Sequence, residues 1–317
     1  MEAARFPLAD FDAEKTMSDA TEAQGSSTRI TQIAVLGAGT MGRGIAHISA
    51  LAGYTTNLYD VDAKQLGAAE RSIHRNLDKG VEIGKLEAAA AVGAKERLAL
   101  ENDLAAAVAE ADLVIEAAPE VMALKVELFL KVAGHCPSAA LFATNTSALS
   151  VTEMAGATGR PERFAGMHFF NPVHLMKLLE LVRGLESSDA TIATLSEVGR
   201  RMGKEVVVVR DVPGFATSRI NALIGNEAFR MLEQGVASAT DIDTAVKLGL
   251  NHPMGPFEMG DLVGLDVRLK ILEHLHATLG ETFRPSNLMR QYVQAGRFGR
   301  KTGRGVHTYD EHGKKIG

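Results

Sequence analysis

Three glycines in one short turn have the spacing of a dinucleotide-binding loop. In such a loop the first glycine permits a tight turn, the second lets the backbone approach a pyrophosphate, and the third lets a helix pack against a strand. The turn follows the apolar run 33–36 and precedes a helix that is predicted over 41–51, which is the context the motif needs. A merely glycine-rich turn is the alternative. The predicted cofactor contacts are Gly37, Gly39, Thr40, Met41 and Gly42.

Asp60 directly follows the second predicted strand, 54–59. A carboxylate at this position accepts hydrogen bonds from the adenine-ribose hydroxyls of NAD and repels the 2′-phosphate of NADP. No arginine follows directly, because Val61 and Asp62 come next. The sequence therefore favours NAD as the cofactor. The alternative is that Asp60 only caps a helix predicted to begin near Ala63.

Among the ten histidines, His168 has the setting of a general base. It follows a strand predicted over 163–167, near the sheet edge where α/β folds bind ligands. Oxidation of a secondary alcohol by hydride transfer needs a base for the hydroxyl proton. Neutral imidazole, with an ordinary pKa of about 6.5, suits that role. Most histidines are structural, however, and His174, His274 and His276 have neither this setting nor the spacing of metal ligands, so we expect no metal site.

Several segments together resemble the L-3-hydroxyacyl-CoA dehydrogenase family, which includes 3-hydroxybutyryl-CoA dehydrogenases. They run from about residue 31 to residue 309. The glycine loop is shared with many dehydrogenases, whereas a His-Phe-Phe-Asn-Pro segment with a glutamate twelve residues after its histidine is far more specific. The matching segments are Gly37–Gly42 with Asp60, Glu116–Glu120 with Lys125, Thr144–Ser147, His168–Pro172, Met176–Glu180, Pro213–Phe215, His252–Pro256 and Phe298–Gly303.

The resemblance implies NAD-dependent oxidation of a short-chain L-3-hydroxyacyl-CoA to the 3-oxoacyl-CoA, a reversible step of the kind found in fatty-acid β-oxidation. It implies that His168 is the base and that Glu180 binds its other ring nitrogen. It also implies that Ser147 binds the substrate oxygen beside the nicotinamide, although this serine could instead cap a helix. Asn171 belongs to the implied catalytic group. The further cofactor contacts implied are Glu120, Lys125, Ser147, Asn171 and Lys301.

The stretch 63–94 is helical in composition and longer than one crossover helix needs, so we predict an inserted pair of helices. Its scattered basic residues include Lys79 and Lys85. The resembling family uses this region for CoA, and we therefore expect both lysines to contact the anionic part of the substrate. A solvated helix face is the alternative for any single lysine.

One position departs from the family pattern. Where relatives have asparagine before an arginine that follows Pro-Gly-Phe, this chain has Ser218 before Arg219. The family asparagine reaches the catalytic serine and the substrate oxygen, and a serine is shorter and has one donor instead of two. Asn221 lies three residues on, which is the same face of a helix. We expect Ser218 and Asn221 to replace that asparagine jointly, unless Asn221 faces the interior of the helical domain.

Strands alternate with helices in the first two thirds of the chain, with further strands predicted over 112–116 and 140–144 and a helix over 121–132. This pattern predicts an α/β, Rossmann-type, mainly parallel sheet that carries the inserted helix pair. After Pro213-Gly214 the pattern becomes helical without a convincing strand. We expect a disordered acidic extension over 1–29, an NAD-binding domain over 30–213 and an all-α domain over 214–317, with the ligand between the two domains. The resemblance implies that the all-α domain serves substrate binding and dimerisation.

Composition excludes several classes of protein. The chain has 317 residues, of which 46% are hydrophobic, so it can bury a sizeable core. No apolar run approaches the roughly 18 to 20 residues of a membrane span. A net charge of −5 argues against a nucleic-acid partner. The single Cys136 allows no intrachain disulfide, which favours the cytoplasm. The partners that the resemblance implies are an acyl-CoA thioester and a second copy of the chain.

The first residues show neither the Arg-rich composition of a transit peptide nor the apolar centre of a secretory signal, and Met17 is a possible true start. Two other functions stay open on these grounds. One is a dehydrogenase of a sugar acid or another hydroxy acid without CoA. The other is a structural or regulatory nucleotide-binding protein without turnover. Intact His168 and Glu180 argue against the second.

Overall fold

An eight-stranded sheet organises the first two thirds of the chain in this computed structural model, which describes residues 29–316. The strand order is β3-β2-β1-β4-β5-β6-β7-β8, and all neighbours are parallel except the antiparallel pair β6 and β7. The strands are β1 (Gln32–Leu36), β2 (Thr55–Tyr59), β3 (Leu98–Glu101), β4 (Leu113–Glu116), β5 (Leu141–Thr144), β6 (Phe164–Phe169), β7 (Leu178–Arg183) and β8 (Glu205–Arg210).

Helices cover both faces of the sheet and form the last third of the chain. Residues 29–316 contain α1 (Thr40–Leu51), α2 (Ala63–Glu82), α3 (Ala88–Glu96), α4 (Leu104–Val108), α5 (Met122–Ala133), α6 (Val151–Ala157), α7 (Asp189–Arg201), α8 (Thr217–Glu233), α9 (Ala239–Gly249), α10 (Pro256–Val263), α11 (Leu265–Leu279) and α12 (Asn287–Gln294). Short 3-10 turns lie at Pro161–Arg163, Glu281–Phe283 and Arg300–Thr302.

The apolar core has two layers because successive side chains of a strand point to opposite faces of the sheet. In β1, Ile33 and Val35 join one buried cluster, while Ala34 and Leu36 join the other. A third cluster, which includes Phe229 and Phe257, lies within the helical part. The chain therefore has an α/β part with a Rossmann-type sheet, followed by a separate helical core.

The predicted fold class is confirmed, with ends of elements shifted by one or two residues. The inserted pair is α2 and α3, and their separation by five residues makes them a helical hairpin. Strands β3, β7 and β8 were not anticipated as strands. The expected extension over 1–29 falls almost wholly outside the described residues. Within 29–316, no helix is both long enough and apolar enough to cross a bilayer.

Strands β1 and β4 are adjacent, and the sheet order reverses between them. In open α/β sheets such a reversal leaves a crevice at the carboxyl ends of the strands, where ligands bind. The glycine turn follows β1 directly. The ends of β4, β5 and β6 bring Glu116, Thr144 and His168 to the same edge of the sheet.

Candidate active site

The antiparallel pairing of β6 and β7 places His168 opposite Glu180. Nδ1 of His168 lies 2.8 Å from Oε2 of Glu180, and the two side chains are 9% and 1% exposed. Because a carboxylate only accepts hydrogen bonds, Nδ1 carries the proton of the neutral ring. The lone pair therefore lies on Nε2, which is the nitrogen left for a substrate.

Glu180 is held by the beginning of the helical part. Its Oε1 accepts hydrogen bonds from the backbone N–H groups of Ala216 (3.2 Å) and Thr217 (2.9 Å), and its Oε2 accepts one from the Thr217 hydroxyl (3.0 Å). Burial raises the pKa of the Glu180 carboxyl, but hydrogen bonds from His168 and Thr217 outweigh burial and hold the pKa below its ordinary value. Glu180 is therefore an anion wherever His168 can act as a base.

Ser147 lies in the turn that follows β5, and Glu120 fastens this turn. Oε1 of Glu120 accepts hydrogen bonds from the Thr146 hydroxyl (2.6 Å), the Ser147 N–H (2.9 Å) and the Ser147 hydroxyl (3.3 Å). The alternative role as a helix cap is wrong for Ser147, because Ser150 caps α6. The side chain of Asn145 accepts a hydrogen bond from the Phe169 N–H (3.0 Å), which ties the turn to the residue after His168.

Lys125 lies beneath the crevice and not on its surface. Its side chain is 0% exposed, and its Nζ lies 2.8 and 2.9 Å from the two carboxylate oxygens of Glu116 and 3.4 Å from Oε2 of Glu120. The ammonium group is already surrounded by acceptors, and the direct contact of Lys125 with the cofactor stays a prediction. Lys125 supports the crevice through Glu116 and Glu120.

The glycine turn fits a dinucleotide. Gly37 has φ +103°, and a Cβ atom on Gly42 would lie 1.6 Å from the Gly37 carbonyl oxygen. In contrast, a Cβ atom on Gly39 would meet nothing within 4 Å, so the space before the N-terminus of α1 is open. That space is where helix N–H groups bind phosphate. A cavity of about 530 Å³ adjoins it, lined by residues that include Gly37, Gly39, Thr40, Met41 and Asp60.

Asp60 lines this cavity and also fastens the glycine turn. Its Oδ2 accepts a hydrogen bond from the Ala38 N–H (2.8 Å), and its Oδ1 accepts one from the Asp62 N–H (3.0 Å). The capping alternative for Asp60 is wrong, because Asp62 caps α2 by accepting the Lys64 N–H at 2.8 Å. Asp60 thus stays available to a ribose while it shapes the loop.

Lys79 and Lys85 line a second cavity, of about 560 Å³, between the helical hairpin, α1 and the segments 174–177 and 201–204. Lys79 also pairs with Glu82 at 2.9 Å on the surface. Among residues 29–316, no aspartate or glutamate lines this cavity, although the chain as a whole is acidic. Its other basic side chains are His47, His174, Lys177, Arg201 and Lys204. Such a lining suits an anionic ligand.

Sequence reasoning missed three of these basic groups. The rings of His47 and His174 stack with centroids 5.4 Å apart, and the Lys204 ammonium donates hydrogen bonds to the carbonyl groups of Val173 and Met176. Burial, together with the nearby His174 and Lys204, lowers the pKa of His47 to about 4. Because these residues are far apart in the chain, no local spacing signals the cluster.

The remaining predicted residues occupy different places. Asn171 is exposed at the sheet edge, three residues after His168. The Nζ atom of Lys301 lies 2.6 Å from Oδ1 of Asp266 in the helical part. Lys301 lines neither the cavity at the glycine turn nor the cavity at Lys79 and Lys85. Asn221 lines a third cavity, of about 460 Å³, together with Thr217, which contacts Glu180. Asn221 also borders a small internal void, and Ser218, on the same helix, is half-buried.

Comparison with known proteins agrees with this arrangement. A family model described as 3-hydroxyacyl-CoA dehydrogenase, NAD binding domain, matches residues 32–212, and the model of the C-terminal domain of the same family matches residues 214–309. A probable 3-hydroxybutyryl-CoA dehydrogenase of Bacillus subtilis is 43% identical over 283 residues, which are 89% of this chain and 98% of the relative. A 3-hydroxybutyryl-CoA dehydrogenase of Bradyrhizobium diazoefficiens is 43% identical over 88% of this chain and 96% of its own length.

Among solved structures, the crystal structure of (S)-3-hydroxybutyryl-CoA dehydrogenase from Ralstonia eutropha is similar, with a TM-score of 0.87 and 39% identity. The match covers 89% of this chain and 100% of that chain. The family predicted from the sequence is thereby confirmed, and its NAD-binding domain identifies NAD as the cofactor. The chain belongs to the 3-hydroxyacyl-CoA dehydrogenase family.

Proposed function

We propose that this chain catalyses the reversible, NAD-dependent oxidation of short-chain L-3-hydroxyacyl-CoA, such as 3-hydroxybutyryl-CoA, to 3-oxoacyl-CoA. The observation that carries the proposal is the buried His168–Glu180 pair at the edge of the sheet that also holds the glycine turn and Ser147. The names of the relatives support the substrate class.

Each polar group has a distinct task in this reaction. Nε2 of His168 takes the hydroxyl proton while the hydrogen on C3 leaves with its electron pair, and Glu180 stabilises the imidazolium that forms. NAD, when bound, accepts the hydride. The Ser147 hydroxyl turns its proton from Glu120 to the substrate oxygen, while the Ser147 N–H stays bonded to Glu120 and keeps the residue in place. Asn171 contacts cofactor and substrate from its exposed position two residues after β6, and Lys301 reaches the cofactor by exchanging its contact with Asp266.

The decisive experiment is the consumption of NADH, followed by its absorbance, with acetoacetyl-CoA and with free acetoacetate as alternative substrates. We expect turnover with the thioester and little with the free acid, because the free acid lacks the CoA phosphates that the basic cavity, the one lined by Lys79 and Lys85, would bind. Turnover of the free acid alone indicates a dehydrogenase of another hydroxy acid. Binding of NADH without turnover of either substrate indicates a non-catalytic protein.

The basic cavity is the proposed site for the phosphate groups of CoA. Charge reversal of both lysines, Lys79→Glu with Lys85→Glu, is expected to raise KM for acetoacetyl-CoA by roughly tenfold and to leave KM for NADH unchanged. A matched control is Lys270→Glu, which reverses an exposed charge on α11. Equal effects on the two KM values, or no effect, would mean that Lys79 and Lys85 are only solvated surface charges.

Asp60 is the proposed determinant of cofactor preference. Asp60→Ala is expected to reduce the ratio of kcat/KM for NAD to that for NADP by about one to two orders of magnitude, because it removes both a hydroxyl acceptor and a repulsive charge. Since the same change frees the Ala38 N–H, Asp60→Asn serves as a control that retains an acceptor oxygen. A ratio that does not move in Asp60→Ala contradicts a role in cofactor choice.

We also propose that Ser218 and Asn221 share the work of the family asparagine. The cavity that Asn221 lines begins at Ala216 and Thr217, both of which contact Glu180. Unchanged kcat/KM for acetoacetyl-CoA in a stable Asn221→Ala variant contradicts this assignment.

The proposed assembly is a homodimer in the cytoplasm. Apolar side chains that are more than half exposed, including Ile220, Leu248 and Leu250, lie in the helical part and offer a surface for a second copy. Light scattering on the purified protein measures the mass of the assembly directly, and a monomer at micromolar concentration contradicts the proposed dimer.

A further inference from the structure

A buried ion pair lies directly beneath the two segments that face the crevice. Glu116 ends β4, and both members of its pair with Lys125 are 0% exposed. Beyond Lys125, the Glu116 carboxylate accepts hydrogen bonds from the Thr144 hydroxyl (2.6 Å) and from the Ala118 N–H (2.6 Å). Each carboxylate oxygen therefore has two donors, which fixes its position firmly.

The partners of this pair belong to two different segments. On one side, Ala118 lies in segment 117–120, where the Ala117 carbonyl would contact any Cβ atom added to Gly37. On the other side, Asn145 donates its N–H to the Glu116 carbonyl (2.7 Å), and its own carbonyl lies 3.4 Å from the Lys125 ammonium. Glu116 is thus the junction between the segment against the glycine turn and the turn that carries Ser147.

The contacts continue from this junction to the reacting groups. Lys125 reaches Oε2 of Glu120 (3.4 Å), and the other oxygen of Glu120 holds Ser147. Asn145 holds the backbone of Phe169, next to His168. A displacement at Glu116 is therefore transmitted to both groups that face the substrate oxygen.

The stability of the fold alone gives little reason for such a buried ion pair. Removing two charges from water is costly, and replacement of a buried pair by apolar side chains of similar volume is often neutral or stabilising. What an apolar pair cannot do is orient two donors on two segments, the Ala118 N–H on one and the Thr144 hydroxyl on the other. The pair is therefore better explained by the geometry that it imposes.

We propose that Glu116 is a positioning residue for hydride transfer, which holds segments 117–120 and 145–147 in register so that Ser147 meets the substrate oxygen. Glu116 itself touches neither substrate nor cofactor. This inference rests on the proposed function for its kinetic consequence, and its structural consequence can be measured without substrate.

The test compares three variants. Glu116→Gln keeps the shape and leaves Lys125 unpaired. The double variant, Glu116→Gln with Lys125→Met, removes both charges, so that no unpaired ammonium group stays buried. Asp112→Asn is the matched control, because Asp112 precedes the same strand at its other end and binds Thr31 and Gln32 far from the crevice. Each variant is measured for thermal midpoint, for kcat and KM with acetoacetyl-CoA, and for hydrogen exchange of the peptide 144–149 in the cofactor-free protein.

We expect Glu116→Gln to lower kcat by about one to two orders of magnitude, with KM changed less than about threefold, and to speed exchange in 144–149. In the double variant we expect the thermal midpoint to recover while kcat stays low and exchange stays fast. Asp112→Asn should lower the midpoint and leave kcat and exchange at 144–149 unchanged.

Two results overturn the inference. One is recovery of kcat together with stability in the double variant, which means that the pair only stabilises the fold. The other is normal kcat and normal exchange in Glu116→Gln. Failure of the proposed function is recognised separately, because the wild-type protein then fails to turn over acetoacetyl-CoA, whatever the exchange data show.

Discussion

Replacement of His168 by glutamine is expected to lower kcat by about two to four orders of magnitude, which is the usual contribution of a positioned base. Glutamine can still donate a hydrogen bond to Oε2 of Glu180, so the packing around the pair is preserved. Its amide cannot take up the hydroxyl proton. Steady-state rates with 3-hydroxybutyryl-CoA measure the loss, and fluorescence titration with NADH should give an affinity close to that of the wild type.

The matched control is His274→Gln, which changes an exposed histidine on α11. We expect this variant to retain wild-type turnover. Near wild-type turnover in His168→Gln would falsify the assignment of the base. A large loss of NADH affinity in the same variant contradicts a purely chemical role for His168.

Replacement of Glu180 by glutamine is expected to lower kcat by roughly two to three orders of magnitude, because the carboxylate both fixes the imidazole tautomer and stabilises the imidazolium. Every oxygen of Glu180 accepts hydrogen bonds, from His168 and Thr217 among others, so an amide nitrogen must face at least one donor. Thr217→Val is a milder control, because it removes only the hydroxyl donor and retains the backbone N–H group.

The pH profile gives Glu180→Gln a distinctive signature. The pKa of the Glu180 carboxyl lies below its ordinary value, so in the wild type the carboxylate stays charged throughout the neutral range and favours the imidazolium. Without that charge the imidazolium loses its anionic partner and gives up its proton more readily. The acid-side limb of kcat/KM for alcohol oxidation should therefore move to lower pH. A profile with an unchanged limb contradicts the pairing.

Local patterns were enough to predict part of this site. The glycine turn could be recognised because its constraints act within six residues, between a strand and a helix. His168 could be recognised because it lies near the end of a strand at the ligand-binding edge. Antiparallel β7 was not anticipated, although its pairing with β6 is what turns a separation of twelve residues into a contact between His168 and Glu180.

Other features depend on residues that are distant in the chain. Sequence alone does not show that Lys125 is buried, since its burial depends on Glu116 at the end of another element. The basic cavity combines His47, His174 and Lys204, each of which looks ordinary in its own segment. Asp60 and Asp62 are only two residues apart. The structure alone shows that Asp60 holds the glycine turn, whereas Asp62 caps α2.

The backbone donors that Glu180 receives from Ala216 and Thr217 make the two halves of the chain inseparable as a catalyst. A fragment that ends near Pro213 retains the glycine turn and Asp60, so it keeps the groups that recognise a dinucleotide. It loses the donors to Glu180, and it loses Phe215, which completes one apolar layer of the sheet. Gene fusion, truncation or domain exchange at this junction would therefore leave a protein that binds the nucleotide but no longer holds Glu180, and through it His168, in place for catalysis.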